Sequence, residues 1–424
     1  MWQPIADPET SRRCWSVIEE IERCLVELLS SPQDSGLVRN PSLAGGESGL
    51  ALFFAYLGAA RQGSVDAAGH ALEALGRGVE GLADQHLPPA LYYGFCGIGW
   101  VIEHLTRELF EGDDALASEV DEALRELFLG TRDMPPYELI GGLSGFGTYL
   151  VERLPHPDAA ELLSRVFDLL ERSAEESEAG ITWYTRPEWL VQWQREKMPR
   201  GCYNLGVAHG VPGVVGFLAA AQREGVRDPR VAHLLEGAVR WLLDQRLPRA
   251  EESVFPAFMC PGEEPEPTRT AWCYGDLGVA AVLLSAARSS GRQDWEREAL
   301  AMARLAARRP AEATRVVDTT LCHGTAGLAH LFNRLFQATG NLAMKEAALA
   351  WYKRTLDMRR PGEEFAGFLN WVSPEPGQGS WKGERGFLTG IAGVGLSLLA
   401  AVAEVEPVWD RVLLVSVPSS MRTS

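Results

Sequence analysis

Apolar and polar positions in this chain alternate in blocks rather than residue by residue. Leu50 to Leu57, Val214 to Ala221, Val279 to Ala286 and Val394 to Ala403 are apolar nearly all round. Segments with a single polar face lie between such runs: Ala115 to Leu129, Pro157 to Glu175, Pro229 to Gln245 and Asp294 to Ala307. Helices apolar on every side are buried on every side, and those with one polar face lie outside them. Sustained β-branched alternation is missing, and Ala, Leu, Glu and Arg dominate, so the pattern predicts an all-α chain.

A glycine motif punctuates the blocks. Gly46/Gly49, Gly94/Gly97, Gly142/Gly145, Gly210/Gly213, Gly275/Gly278, Gly324/Gly327 and Gly390/Gly393 each read Gly-x-x-Gly and each opens an apolar run. A repeat of this kind overrides the domain count that length alone suggests. Seven copies predict an α/α toroid of seven inner helices ringed by seven outer ones, with the glycines allowing sharp turns into the inner helices. All seven loops then lie at one end of the barrel, where a site can be assembled from distant sequence. The expected domain is single and covers 1–416, with a frayed tail at 417–424.

The spacing is uneven. Between second glycines the steps are 48, 48, 68, 65, 49 and 66 residues. The longer steps place insertions near 174–208, 246–272 and 357–389, which carry Trp183, Trp189, Trp193, Trp272, Trp371 and Trp381. Such aromatic content argues against disorder. Two readings stay open: a rim that holds an extended peptide, or tryptophans that only pack the loops down.

Composition narrows the classes. With 424 residues, 46% of them apolar, the chain can bury a large core. Its net charge of −17 and the lack of a basic stripe exclude nucleic acid as an expected partner. No signal-peptide pattern and no membrane-length apolar run are present, so a soluble, intracellular protein is expected. Seven cysteines, an odd number, fit free thiols or metal ligands better than a disulfide framework.

Three repeats carry chemistry just before their glycines. Cys273 stands two residues before Gly275, and Cys322-His323 immediately precede Gly324. Two thiols and an imidazole suit zinc with an open fourth position, and no Cys-x-x-Cys offers a closed site instead. Thiolates near helix N-termini are also favoured electrostatically. Cys14, Cys24, Cys96, Cys202 and Cys260 have no matching register and read as structural. His209, directly before Gly210, is a candidate for proton transfer, a fourth ligand or a cap. Glu138, ahead of Gly142, is a candidate acid or orienting group, or a solvated surface residue. Arg269 either stabilises negative charge or pairs with Glu263, Glu264 or Glu266. His70, His86, His104, His156 and His233 read as polar or outer-helix residues, and His330 as packed.

Trp272-Cys273-Tyr274-Gly275, Cys322-His323-Gly324-Thr325-Ala326-Gly327 and Asn204-Leu205-Gly206-Val207-Ala208-His209-Gly210-Val211-Pro212-Gly213 resemble the signature motifs of lanthipeptide synthetase component C, the lanthionine cyclases. The glycine repeat is similar to theirs from about Gly36 to Ala403. The resemblance implies a toroid holding Zn2+ on Cys273, Cys322 and His323, with His209 as acid/base and Arg269 and Tyr274 as neighbours. Glu138 stands where the family usually has Asp. The implied reaction adds peptide cysteine thiolates to dehydroalanine or dehydrobutyrine, forming thioether rings in a dehydrated precursor peptide. A kinase or lyase region is absent, so the resemblance is to the stand-alone type. That type implies a separate dehydratase, an export transporter and a cytoplasmic setting, peripheral at the inner membrane through a biosynthetic complex. Other readings are glutathione addition to dehydroamino acids, a non-catalytic scaffold and another zinc-dependent α/α barrel such as a prenyltransferase subunit.

Overall fold

The computed structural model describes residues 2–30, 40–110, 115–130, 134–248, 252–375 and 378–418. Gly36, the expected start of the resemblance, and residues 419–424 of the expected tail lie outside the described residues.

Among the described residues fifteen α-helices follow one another: α1 (Pro8–Ser30), α2 (Glu47–Ala60), α3 (Val65–Asp84), α4 (Phe95–Glu108), α5 (Ala115–Gly130), α6 (Leu143–Glu152), α7 (Pro157–Ser173), α8 (Gln192–Lys197), α9 (Val211–Arg223), α10 (Pro229–Asp244), α11 (Asp276–Ser289), α12 (Gln293–Arg308), α13 (Thr325–Thr339), α14 (Leu342–Asp357) and α15 (Ile391–Val402). Helices α2, α4, α6, α9, α11, α13 and α15 are the seven that follow or contain the glycine pairs. They are buried almost throughout: every residue of α6, and Asp276 to Ala287 of α11. The helices between them bury one stripe. In α10 it comprises Val231, Leu234, Leu235, Gly237, Ala238, Val239, Trp241 and Leu242.

The chain divides into two compact units. The first comprises Met1–Pro88, Tyr92–Ala117 and Val317–Trp409; the second comprises Pro89–Leu91, Ser118–Val316 and Asp410–Ser424. In the first, α2 packs against α4 and α15, and α15 against α13. Helix α1, which no glycine pair announces, packs on α15, so the outer partner of the last buried helix comes from the start of the chain. In the second, α9 lies between α6 and α11.

Glycine is required at the pairs because each lead-in loop folds back over the first turn of its helix. A Cβ on the second glycine would meet a loop carbonyl oxygen at 1.9–2.5 Å in Gly49, Gly145, Gly213, Gly278, Gly327 and Gly393. That loop also caps the helix. Leu143, Thr325 and Ile391 donate their backbone N–H groups to the carbonyls of Pro136, Asp318 and Glu384. These would otherwise be unpaired first-turn donors, so no capping side chain is needed.

Short strands occupy the long connections: β1 (Glu175–Ser177), β2 (Gly180–Thr182), β3 (Tyr184–Thr185), β4 (Cys202–Asn204), β5 (Phe258–Met259), β6 (Asn370–Glu375) and β7 (Gln378–Lys382). They form one three-stranded and two two-stranded antiparallel sheets. The tryptophans divide by burial. Trp183 and Trp272 are fully buried and donate to the carbonyls of Leu170 and Leu413, packing the loops down. Trp371 and Trp381 remain 38% and 39% exposed on the β6–β7 hairpin. One histidine departs from its expected setting: His104 lies on buried α4, stacks on Trp100 and bonds the Tyr56 hydroxyl at 2.8 Å. Its ring faces inward because α4 belongs to the buried set.

Candidate active site

Counting back from the first glycine of a pair, the residue two places before it is buried, except for the half-buried Ile140, and the residue one place before it is presented. Cys273 and Cys322 hold the buried place, and so do Ala44, Tyr92, Ala208 and Leu388. His209, Tyr274 and His323 hold the presented place, with 47% of the His209 side chain and 21% of the His323 side chain accessible. Main-chain bonds tie the loops together. In the first unit Ala44 donates to Tyr92, Leu388 to Ala44 and Cys322 to Leu388; in the second Ala208 donates to Cys273 and Leu139 to Ala208.

In the second unit these ties bring the α6, α9 and α11 loops side by side. Glu138 accepts from the backbone N–H groups of Ile140 (3.0 Å) and Gly141 (2.6 Å), which fixes its carboxylate. Its Oε2 lies 2.7 Å from His209 Nδ1, leaving Nε2 of that ring for proton exchange. The surrounding protein favours the neutral imidazole, but the Glu138 carboxylate outweighs it, assisted by Cys273, and His209 titrates above its ordinary 6.5. Tyr274 faces His209 with ring centroids 6.5 Å apart, and its hydroxyl accepts from Asn204 at 3.0 Å. Burial, with a smaller contribution from Cys273, raises the Tyr274 phenol and keeps it protonated.

Arg269 is half-buried. Among the described residues its guanidinium has no hydrogen bond or ion pair, so pairing with Glu263, Glu264 or Glu266 is not seen. The buried cation nearby is a different one: Arg309 donates to Asp276 at 2.7 Å and to Thr270 at 2.7 Å. Asp276 also accepts from Val254 and Phe255, pinning the 246–272 insertion to the start of α11.

In the first unit, Cys322 and His323 offer a thiol and a ring nitrogen within 4.8 Å of each other. Behind them is an acid that the sequence pattern passed over. Asp318 is fully buried and its Oδ2 lies 3.3 Å from His323 Nε2. Its Oδ1 accepts from the N–H and the hydroxyl of Thr320. Burial alone would raise this carboxyl, but the bonds from His323 and Thr320 outweigh it and the net direction is downward. A second group within ligand distance, Asp121, His156 and Asp158, lacks the soft thiol donors, and Asp121 is already engaged by Arg153 and Tyr149.

With this geometry in hand, similarity to known proteins is decisive. The chain matches the family described as lanthionine synthetase C-like protein over residues 38–414. The chain belongs to that family. It is 26% identical over 272 residues to the nisin biosynthesis protein NisC of Lactococcus lactis subsp. lactis. That match covers 59% of this chain and 63% of NisC, so the chain spans less than two thirds of that curated relative. Among solved structures, nisin cyclase superposes with a TM-score of 0.75 at 21% identity, over 95% of this chain and 97% of its own. That likeness shows the fold, an all-α α/α toroid.

Glu138 is held by its own loop. The two backbone bonds draw its side chain back so that it ends on the His209 ring. Among the described residues no helix is long and apolar enough to cross a membrane. Among the described residues Cys14, Cys24, Cys96, Cys202 and Cys260 form no disulfide, and burial pushes Cys14 and Cys202 up to about 12, which suits an inert packing role.

Proposed function

We propose that this protein is a zinc-dependent lanthionine cyclase, acting on a dehydrated precursor peptide as one catalytic domain over 1–416. The observation that carries the reading is the His209–Glu138 pair set beside Cys273 and Tyr274 on adjoining lead-in loops. Cys273, Cys322 and His323 would hold the zinc. They are buried or nearly so, include the two soft sulfurs that zinc accepts, and come with a carboxylate behind the imidazole. When bound, the metal supplies a lowered thiol pKa, so that a substrate cysteine is a thiolate at neutral pH.

The chain's own residues then manage charge and proton. The substrate sulfur bonds to the β-carbon of dehydroalanine or dehydrobutyrine, the carbon–carbon π bond breaks, and negative charge gathers on the adjoining carbonyl oxygen. Arg269, which has no protein counter-ion among the described residues, is available to stabilise that charge. His209, raised by Glu138, is protonated in a larger share of molecules at neutral pH than a free imidazole. It delivers a proton from Nε2 to the α-carbon, while Glu138 holds Nδ1 and fixes the ring. Tyr274 lies alongside that ring, with centroids 6.5 Å apart.

A separate dehydratase would supply the substrate and an exporter would remove the product, in a cytoplasmic complex peripheral to the inner membrane. The test uses purified, zinc-loaded protein and a dehydrated peptide. Ring closure leaves the mass unchanged and removes a free thiol from alkylation. His209→Ala should keep its zinc and close rings at least 10²-fold more slowly, the scale of about 10²–10⁴-fold for a lost acid–base group. A normal rate in that variant sinks the proton-transfer assignment. Glutathione added to the peptide, with a matching mass increase, identifies an intermolecular reaction instead.

A further inference from the structure

Four contacts converge on Asp318. Its Oδ1 accepts from Thr320 N (3.1 Å) and Thr320 Oγ1 (2.9 Å), an Asx turn that sets the loop ahead of Cys322. Its Oδ2 accepts from Trp371 N at 3.2 Å and stands 3.3 Å from His323 Nε2. Thr320 Oγ1 in turn accepts from His323 N at 3.3 Å, so the histidine is held at its backbone and at its ring by one short segment. The carboxylate is fully buried. A buried carboxylate that only capped the turn would have no need to face an imidazole, and Asn40 and Asn204 fill the equivalent turn positions of α2 and α9 with neutral amides.

We infer that Asp318 is the positioning residue of the metal site: it receives the Nε2 proton of His323, fixes the ring, and leaves Nδ1 as the ligand nitrogen. The inference rests on reading His323 as a zinc ligand. A carboxylate behind a ligand imidazole fixes its tautomer and increases its basicity. The Oδ2 bond from Trp371 gives the arrangement a second consequence. The backbone of the exposed β6–β7 hairpin and the ring of the ligand share one oxygen, so moving the hairpin disturbs the ligand.

Two measurements on the full chain test this. In the zinc-loaded wild-type protein, long-range proton–nitrogen NMR of labelled histidine should show His323 with a proton on Nε2 and metal on Nδ1. The reverse assignment overturns the inference while leaving the zinc reading standing. Chelator competition should then show Asp318→Asn binding zinc about 10–100-fold more weakly than wild type, with altered ligand-field bands when cobalt replaces zinc. A purely structural role would instead lower the melting temperature of the metal-free protein and leave the affinity and the cobalt spectrum of the folded fraction as in wild type. That result also overturns the inference. Should Asp318→Asn fail to fold, the wild-type NMR assignment alone decides. A wild-type chain that binds no zinc overturns this inference and the proposed function together.

Discussion

Adding one methyl group at Gly213 should damage both stability and chemistry, although Gly213 lies outside the reacting group. A Cβ there would stand 2.4 Å from the Val207 carbonyl oxygen, whereas ordinary contact begins at 3.4 Å, so the loop must retreat by about 1 Å. The obstacle is backbone, and overpacking of this kind costs about 1–3 kcal/mol. Unfolding entropy of about 2.1 cal/mol/K per residue gives roughly 0.9 kcal/mol/K for the whole chain, hence about 1 °C per kcal/mol. Calorimetry should therefore show Gly213→Ala melting about 1–3 °C lower. Gly76→Ala is the matched control. Gly76 is exposed within α3 and an added Cβ meets nothing within 4 Å, so the same methyl should stabilise by about 0.4–1 kcal/mol. Because Val207 lies two residues before His209, a displacement of about 1 Å should also slow ring closure on the order of 10²-fold with zinc retained. A Gly213→Ala protein that melts at or above wild type, or closes rings at full rate, refutes the idea that the glycine is there to let the loop fold down.

Two further outcomes follow from the same geometry. Asp276→Ala removes the carboxylate partner of the buried Arg309 and the acceptor of two backbone donors, and loss of one partner of a buried pair costs about 3–5 kcal/mol. By the same conversion the melting temperature should drop about 3–5 °C; a change under about 1 °C means that the guanidinium finds another anion. The His209 ring should titrate above 6.5 in the wild type and below it in Glu138→Gln, where only the effect of the surrounding protein and the weaker pull of Cys273 remain. The sign of the linkage follows: a folded midpoint above the unfolded one gives stability that is complete below about 6.5 and is lost as pH rises through the folded value. Histidine NMR across pH 5–9 checks both, and an unchanged midpoint in the variant removes Glu138 as the cause.

The helical layers were legible because apolar blocks and glycine pairs are dense, local signals. The strands were not, since β3 and β5 have two residues each and no alternation to read. Helix α1 escaped because no glycine pair precedes it, and the inward face of His104 because one polar residue on α4 resembles an outer-helix position. Register singled out Cys273, Cys322, His323 and His209 as candidates without any geometry. That Glu138 reaches the His209 ring was undecidable from sequence, because its place is set by two backbone bonds that retract its side chain. Asp318 had a readable signal that went unused. Asn40, Asn204 and Asp318 stand six residues before their glycines, and each accepts the N–H of the residue two places on. The single acid among three such turns was the clue.

The peptide-to-peptide ties between lead-in loops divide mutational freedom unequally. A methyl in Ala44 and Ala208, a phenol in Tyr92, an isobutyl group in Leu388 and thiols in Cys273 and Cys322 occupy equivalent places, and the amide bonds beside them do not depend on which it is. Reactive groups can thus be exchanged one codon at a time on a scaffold that never has to be rebuilt, while the glycines beneath them are frozen. A designer wanting a new donor set would alter the former and leave the latter alone.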